Sequence, residues 1–250
     1  MTTTSKVLAK RLLAARDSRV PIALTPEETP QTEADGYAVQ VEVTPVLGPI
    51  GGWKVGAAGP EAPPSCAPLP ASGILPSGAG LDARFSQRLV EAEIAFKIAA
   101  DLPPRPEPYT REEVIAAVGS CHPVIEVVQW RLRDFATATN AIKLADSVGH
   151  GALIVGEAIP DWQEIDFPSL GVTQEIDGED PKLGRGNPGG DMIRLMTWLA
   201  NEGAVWAGGL KAGQIVTCGS WTGCLAAGPG AAVRVTFAGQ SPVSVSFSAG

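Results

Sequence analysis

Glu91 and Glu93 are the residues whose spacing first suggests chemistry. They sit in Val90–Ile98, V-E-A-E-I-A-F-K-I. Read at period two, Val90, Ala92, Ile94, Phe96 and Ile98 fall on one side, and Glu91, Glu93, Ala95 and Lys97 on the other. Alternate side chains of a strand share a face, so the two carboxylates project together. They repel unless something positive stands between them, and a hard divalent cation such as Mg²⁺ or Mn²⁺ prefers such oxygen donors. A solvated strand face would read the same way. Glu, Ala and Lys also favour a helix, which would send positions i and i+2 to different sides. Glu126 is a lone acid inside the apolar run P-V-I-E-V-V-Q-W (123–130). A buried carboxylate is costly unless paired or metal-bound, so Glu126 is the candidate third ligand. Lys54 stands in G-G-W-K-V-G (51–56), where glycines permit close backbone approach to a ligand. It is a candidate for proton transfer, or a surface lysine on an edge strand.

These residues must be positioned by short elements. Gly 29 and Pro 22 in 250 residues point to a loop-rich chain of short strands rather than a helical bundle. Helices are expected over 3–18 and 31–44, the second capped by Thr32. A strand follows at 51–56, then a long irregular loop over 57–82, a length often used for a lid. Thr110-x-x-Glu113 is a capping box opening a helix to about Gly119. Beyond the Glu126 strand, a short helix is expected over 139–148 and a strand over 152–155. A hairpin turns at Asp177-Gly178, a helix covers 191–202, a strand follows at 210–220, and a last hairpin joins 233–237 to 243–247. The class is α+β, and with no repeat or linker, residues 1–250 read as one domain whose first 48 or so residues are helical.

Composition narrows the partners. Hydrophobic residues make up 44% and charged residues 18%, as in a globular chain. A net charge of −8 argues against nucleic acid or an anionic membrane as the main partner, and no apolar run is long enough to span a bilayer. Cys66, Cys121, Cys218 and Cys224 form no CxxC pair, which reads as reduced thiols in a cytoplasmic protein. The basic N-terminus has the look of a transit peptide, but its pattern runs into the fold as an ordinary first helix.

Three motifs are set aside. Gly184-Arg-Gly-Asn-Pro-Gly189 matches GxGxxG, yet no apolar strand precedes it and Pro188 lies inside it. Asp146, Ser147 and His150 are triad types crowded into five residues, with no G-x-S-x-G elbow. Cys121 and His122 are adjacent and read as structural.

Together, G-W-K-V-G (52–56), V-E-A-E-I-A-F (90–96), P-V-I-E-V-V (123–128), L-A-D-S (144–147), the L-I-V-G region (153–156), W-L-A-N (198–201), L-K-A-G-Q-I-V (210–216) and G-S-W-T-G (219–223) occur in an order that resembles one family. It is the 2-keto-4-pentenoate hydratase / 4-oxalocrotonate decarboxylase branch of the fumarylacetoacetate hydrolase superfamily. The resemblance implies a mixed β-sheet rolled into a barrel-like sandwich with surrounding helices. It implies Mg²⁺ or Mn²⁺ held by Glu91, Glu93 and Glu126, with Lys54 as the family's G-x-K-x-G lysine. It places Asp146 and Ser147 in the A-D-N-x segment, with serine replacing asparagine, and Ser220 and Thr222 beside the substrate. Lys54 or Asp146 would then shuttle protons. Gly223 stands where dicarboxylate-using branches often carry arginine, which favours a short monoacid, and Ala57-Ala58 depart from the family's usual Leu-Thr. The implied activity is hydration of a 2-hydroxy-2,4-dienoate to a 4-hydroxy-2-oxo acid in aromatic-compound catabolism. Alternatives are decarboxylation of the 4-oxalocrotonate type, C–C bond hydrolysis, whose enzymes typically use aspartate as third ligand, or a non-catalytic assembly subunit. A homo-oligomer that associates with a related hydratase or decarboxylase is also implied.

Overall fold

Residues 89–98 are a strand, and the two-residue alternation decides what each face meets. In the computed structural model, which describes residues 3–249, this strand is β5 (Leu89–Ile98). Its Val90, Ala92, Ile94, Phe96 and Ile98 enter the main hydrophobic core, while Glu91 and Glu93 lie on the other face. That second face is not solvated: Ala95 packs there with Leu69, Val124, Leu153 and Ile215.

The elements in chain order are α1 (Thr3–Ser18), α2 (Glu33–Leu47), β1 (Ile50–Gly56), β2 (Ser65–Pro70), β3 (Ile74–Pro76), β4 (Ala79–Leu81) and β5. Then come α3 (Arg111–Ala116), β6 (Val118–Val128), α4 (Asn140–Ala145), β7 (His150–Val155), β8 (Gly171–Ile176) and β9 (Lys182–Arg185). The last are α5 (Met192–Trp198), β10 (Ile215–Thr217), β11 (Leu225–Ala226), β12 (Ala232–Phe237) and β13 (Val243–Phe247). An eight-stranded mixed sheet runs β2-β1-β10-β5-β6-β7-β3, with β11 also on β5. A five-stranded sheet runs β4-β13-β12-β8-β9. Neither sheet closes on itself, so the barrel-like expectation becomes two open mixed sheets. Apolar residues of β12 and β13, among them Val233, Val235 and Val245, join the core face of β5. Edge-to-face pairs such as Phe96–Trp162, 5.2 Å apart, and Trp221–Phe237, 5.1 Å apart, pack that layer.

The 57–82 stretch is not one irregular loop. It contains β2, β3 and β4. Pro68 and Pro70 hid β2, but β2 is an edge strand, where a missing backbone donor costs nothing. The second helix forms despite Gly36. Thr32 caps it with a full capping box to Asp35, and a side chain at Gly36 would strike the Ala141 carbonyl at 2.5 Å. That glycine lets α2 and α4 approach closely. α1, α2 and α4 enclose a second cluster of Leu8, Leu12, Val39, Val43 and Ala145, extended by Leu132 and Phe135. The expected 191–202 helix divides into α5 and a π-helical turn over Leu199–Gly203. Among the described residues, no helix is long and apolar enough to cross a membrane.

Candidate metal centre and active site

The acidic cluster is assembled by strand register. β5 and β6 pair antiparallel with Glu91 directly opposite Glu126, and Glu93 lies two residues along on the same face. Directly opposed residues bring their Cβ atoms within about 5.5 Å. Among the described residues, Glu91, Glu93 and Glu126 are the group able to hold a metal ion, with one oxygen of each within 4.8 Å of the others. β10 lies on the other side of β5, and its end holds Glu93. The Thr217 hydroxyl and the Gly219 N–H, the latter at 3.0 Å, both donate to Glu93 Oε2.

Lys54 reaches the cluster from β1, two strands away from β5. Its Nζ donates to Glu126 Oε1 at 2.7 Å and to the Val148 carbonyl at 3.3 Å. The Val148 carbonyl is aimed by a strained turn. Ser147 and Val148 both adopt positive φ, 49° and 50°, a conformation costly for a β-branched residue and concentrated at functional sites. Sequence reasoning set His150 aside, yet its Nδ1 lies 3.1 Å from Glu126 Oε1. An ionised Glu126 accepts there, so Nδ1 carries the proton. The available signal was a lone histidine opening an apolar strand beside a strand with a lone acid.

Burial is the main electrostatic cost. It pushes Glu91 up to about 7 against the pull of Lys54. It pushes Glu93 up to about 8, with repulsion from Glu126 and Glu91 adding to it. Glu126 goes the other way: Lys54 and His150 outweigh burial and hold it far below the usual carboxylate range. Burial disfavours the Lys54 ammonium, but the three carboxylates outweigh that and leave it above its ordinary value. The cluster thus holds more negative charge than Lys54 neutralises. Glu126 Oε2 is buried without a hydrogen-bond partner. Lys54 occupies Oε1 and leaves Oε2 open, so the residues present fit a hard divalent cation on three carboxylate oxygens.

The other expected site residues fall in two groups. Ser220 Oγ is buried without a partner, free to meet a ligand. Ser147 is buried within the strained turn. The Thr222 hydroxyl, by contrast, accepts from Ala92 N–H and donates to Gln174 Oε1, tying β8 to β5. Asp146 is buried and ion-paired with Arg131, which donates to Oδ1 through Nε and to Oδ2 through its backbone N–H. Arg131 also donates to the Asp146 and His150 carbonyls, each at 2.6 Å. Asp146 therefore holds Arg131 and the turn before His150. His122 lies 2.9 Å from the Gly156 carbonyl through Nδ1 and 2.8 Å from the Ser120 hydroxyl through Nε2, both ring nitrogens engaged as in a structural residue.

No protein-family model matches the chain. A 2-hydroxyhexa-2,4-dienoate hydratase of Comamonas testosteroni is 26% identical over 162 residues, 64% of this chain and 60% of that protein. A 4-oxalocrotonate decarboxylase of Pseudomonas sp is 30% identical over 173 residues, 66% of this chain and 62% of the relative. The chain thus spans about three fifths of the length of these curated relatives. The structure of 4-oxalocrotonate decarboxylase from Pseudomonas putida G7, complexed with magnesium and adipate, superposes with a TM-score of 0.84 at 26% identity, covering 99% of this chain and 98% of that one. With the carboxylate cluster, the lysine and the motif order in place, the chain is similar to proteins of the 2-keto-4-pentenoate hydratase / 4-oxalocrotonate decarboxylase family of the fumarylacetoacetate hydrolase superfamily.

Proposed function

We propose that the protein is a divalent-metal-dependent hydro-lyase that adds water to a 2-hydroxy-2,4-dienoate of the 2-oxo-4-pentenoate type, giving a 4-hydroxy-2-oxo acid. The observation that carries this reading is the convergence of Glu91, Glu93 and Glu126 around the unpartnered Glu126 Oε2, with Lys54 on the neighbouring oxygen. Those three carboxylates would hold Mg²⁺ or Mn²⁺, which supplies Lewis-acid polarisation when bound. The structure of a magnesium complex in a relative supports the first of these ions.

The chain's own groups then account for proton handling. Isomerisation removes the proton of the substrate's 2-hydroxyl and delivers one to C5, leaving the alkene conjugated with the C2 ketone. Water then adds, its oxygen to C4 and a proton to C3. Lys54 Nζ, which donates to Glu126 and to the Val148 carbonyl, would carry these protons. General acid–base help of this kind is worth about 10²–10⁴-fold. Asp146 acts through Arg131 and the Ser147–Val148 turn, by holding the carbonyl that orients Lys54. Ser220 and Ser147 offer hydroxyls to the substrate, and Thr222 holds the loop that presents Ser220. The reading carries with it aromatic-compound catabolism, a cytoplasmic homo-oligomer and association with a related hydratase or decarboxylase.

The test is loss of dienoate absorbance by the metal-supplemented protein, with and without a chelator. Turnover that survives chelation overturns the reading. The second reading is decarboxylation of the 4-oxalocrotonate type, favoured by the 0.84 TM-score to a decarboxylase. Carbon dioxide released in step with substrate loss selects it. Absence of both reactions with added metal selects a non-catalytic assembly role.

A further inference from the structure

A cavity of about 370 Å³ lies between the end of α1, the turn after β2 and the end of β6. None of Lys54, Glu91, Glu93 or Glu126 lines it. Its walls include Arg16, Arg19, Arg84 and Arg131, with Ser72 and Asp17. Two of the four guanidiniums are already matched. Arg131 is paired with Asp146, and Arg84 grips Asp82 at 2.8 Å. Among the described residues, Arg16 and Arg19 have no carboxylate within 4.0 Å, and Asp17 is the one acid on the cavity wall.

Arg16 is the informative member. Its one hydrogen bond is a long one, 3.5 Å, to the His150 carbonyl. Burial and the adjacent Arg131 bring it down to about 10. A guanidinium half-withdrawn from water beside a second guanidinium is an unfavourable arrangement unless an anion joins it. A cation at the end of a helix also complements the helix dipole, but that role needs no cavity and no second arginine across it. Arg19 adds an independent irregularity. It follows the last residue of α1 with φ 63°, its N–H bonded to the Ala15 carbonyl. Such a helix-ending position normally takes glycine or asparagine, and arginine there accepts a local cost of about 1–2 kcal/mol. The turn directs the chain so that residue 19 forms part of the cavity wall. Ser72, an exposed residue of the lining, adds a hydroxyl as a neutral donor.

We propose that this cavity binds a small oxyanion, a carboxylate or phosphate group of a metabolite, between Arg16 and Arg19. Two guanidinium forks and a hydroxyl match the planar or tetrahedral oxygens of such a group. A volume of about 370 Å³ admits a molecule of a few carbon atoms rather than a nucleotide.

Calorimetric titration of the metal-free full chain at low salt tests this, with inorganic phosphate in one arm and succinate in the other. Saturable binding of one ligand per chain is expected, and the tighter arm tells phosphate from carboxylate chemistry. Arg19→Gln, at an exposed position, is expected to weaken binding at least tenfold, and Arg16→Gln to abolish it. Lys54→Met, which removes the cation of the carboxylate cluster, is expected to leave the affinity within twofold. No saturable binding in either arm overturns the proposal, as does unchanged affinity in Arg19→Gln or loss of binding in Lys54→Met. The proposal stands apart from the hydratase reading, and neither result decides the other.

Discussion

Two buried ion clusters meet at His150. Its carbonyl accepts from Arg131, and its imidazole is bonded to Glu126. In the first cluster, both Asp146 oxygens accept from Arg131, whose remaining donors reach carbonyls of residues 129, 146 and 150. In the second, three carboxylates face one ammonium, Glu126 Oε2 has no partner, and two of the acids are pushed toward neutrality. A closed network with matched charge is what a structural device looks like. An open one with surplus charge stores an affinity for something that arrives later.

The sharpest way to break that contrast is to remove one partner from the closed cluster. Arg131→Met leaves Asp146 buried and uncompensated, an expected loss of about 3–5 kcal/mol. A thermal midpoint roughly 10 °C lower follows for a chain of this size. Arg131→Met combined with Asp146→Leu should recover much of it; equal losses in both variants would mean that the pair is not coupled. The open cluster should answer oppositely. Glu93→Gln is expected to cut metal-dependent turnover by at least about 100-fold, about 2.7 kcal/mol, while metal-free thermal stability holds or rises. A large fall in metal-free stability would place Glu93 in the structural class.

The strands carrying the open cluster were legible because period-two alternation is a local property. It separated Glu91 and Glu93 from the core residues, and it exposed Glu126 as a lone acid in an apolar run. What escaped notice depends on pairing between distant segments. His150 meets Glu126 only because β7 lies beside β6, 24 residues on. The Arg131–Asp146 pair, and the committed hydroxyl of Thr222, likewise cannot be seen before the chain is folded. β2, β3 and β4 were lost in the 57–82 stretch because edge strands tolerate the prolines and glycines that otherwise mark loops.

Glu91 and Glu93 have folded values of about 7 and about 8, raised above their unfolded value near 4.5. Between those limits the native state binds more protons than the unfolded one, so stability falls as pH rises. Thermal midpoints of the metal-free protein should therefore drop from about pH 5 to pH 8, and saturating Mg²⁺ should flatten the slope. A midpoint that rises across that window would show that these carboxylates are ionised throughout. The smallest effect is expected at the strained turn. Val148→Gly relieves the positive φ and should raise stability by no more than about 1 kcal/mol, while lowering turnover because the carbonyl that orients Lys54 is less fixed. Unchanged kcat would detach the turn from Lys54.

The cross-strand opposition of Glu91 and Glu126 also bears on how the sheet finds its alignment. A slip of one residue between β5 and β6 would carry both β5 glutamates into the hydrocarbon interior and break the three-oxygen cradle at once. Correct alignment and assembly of the cradle are then the same event, because only one register of β5 against β6 gives every acid company.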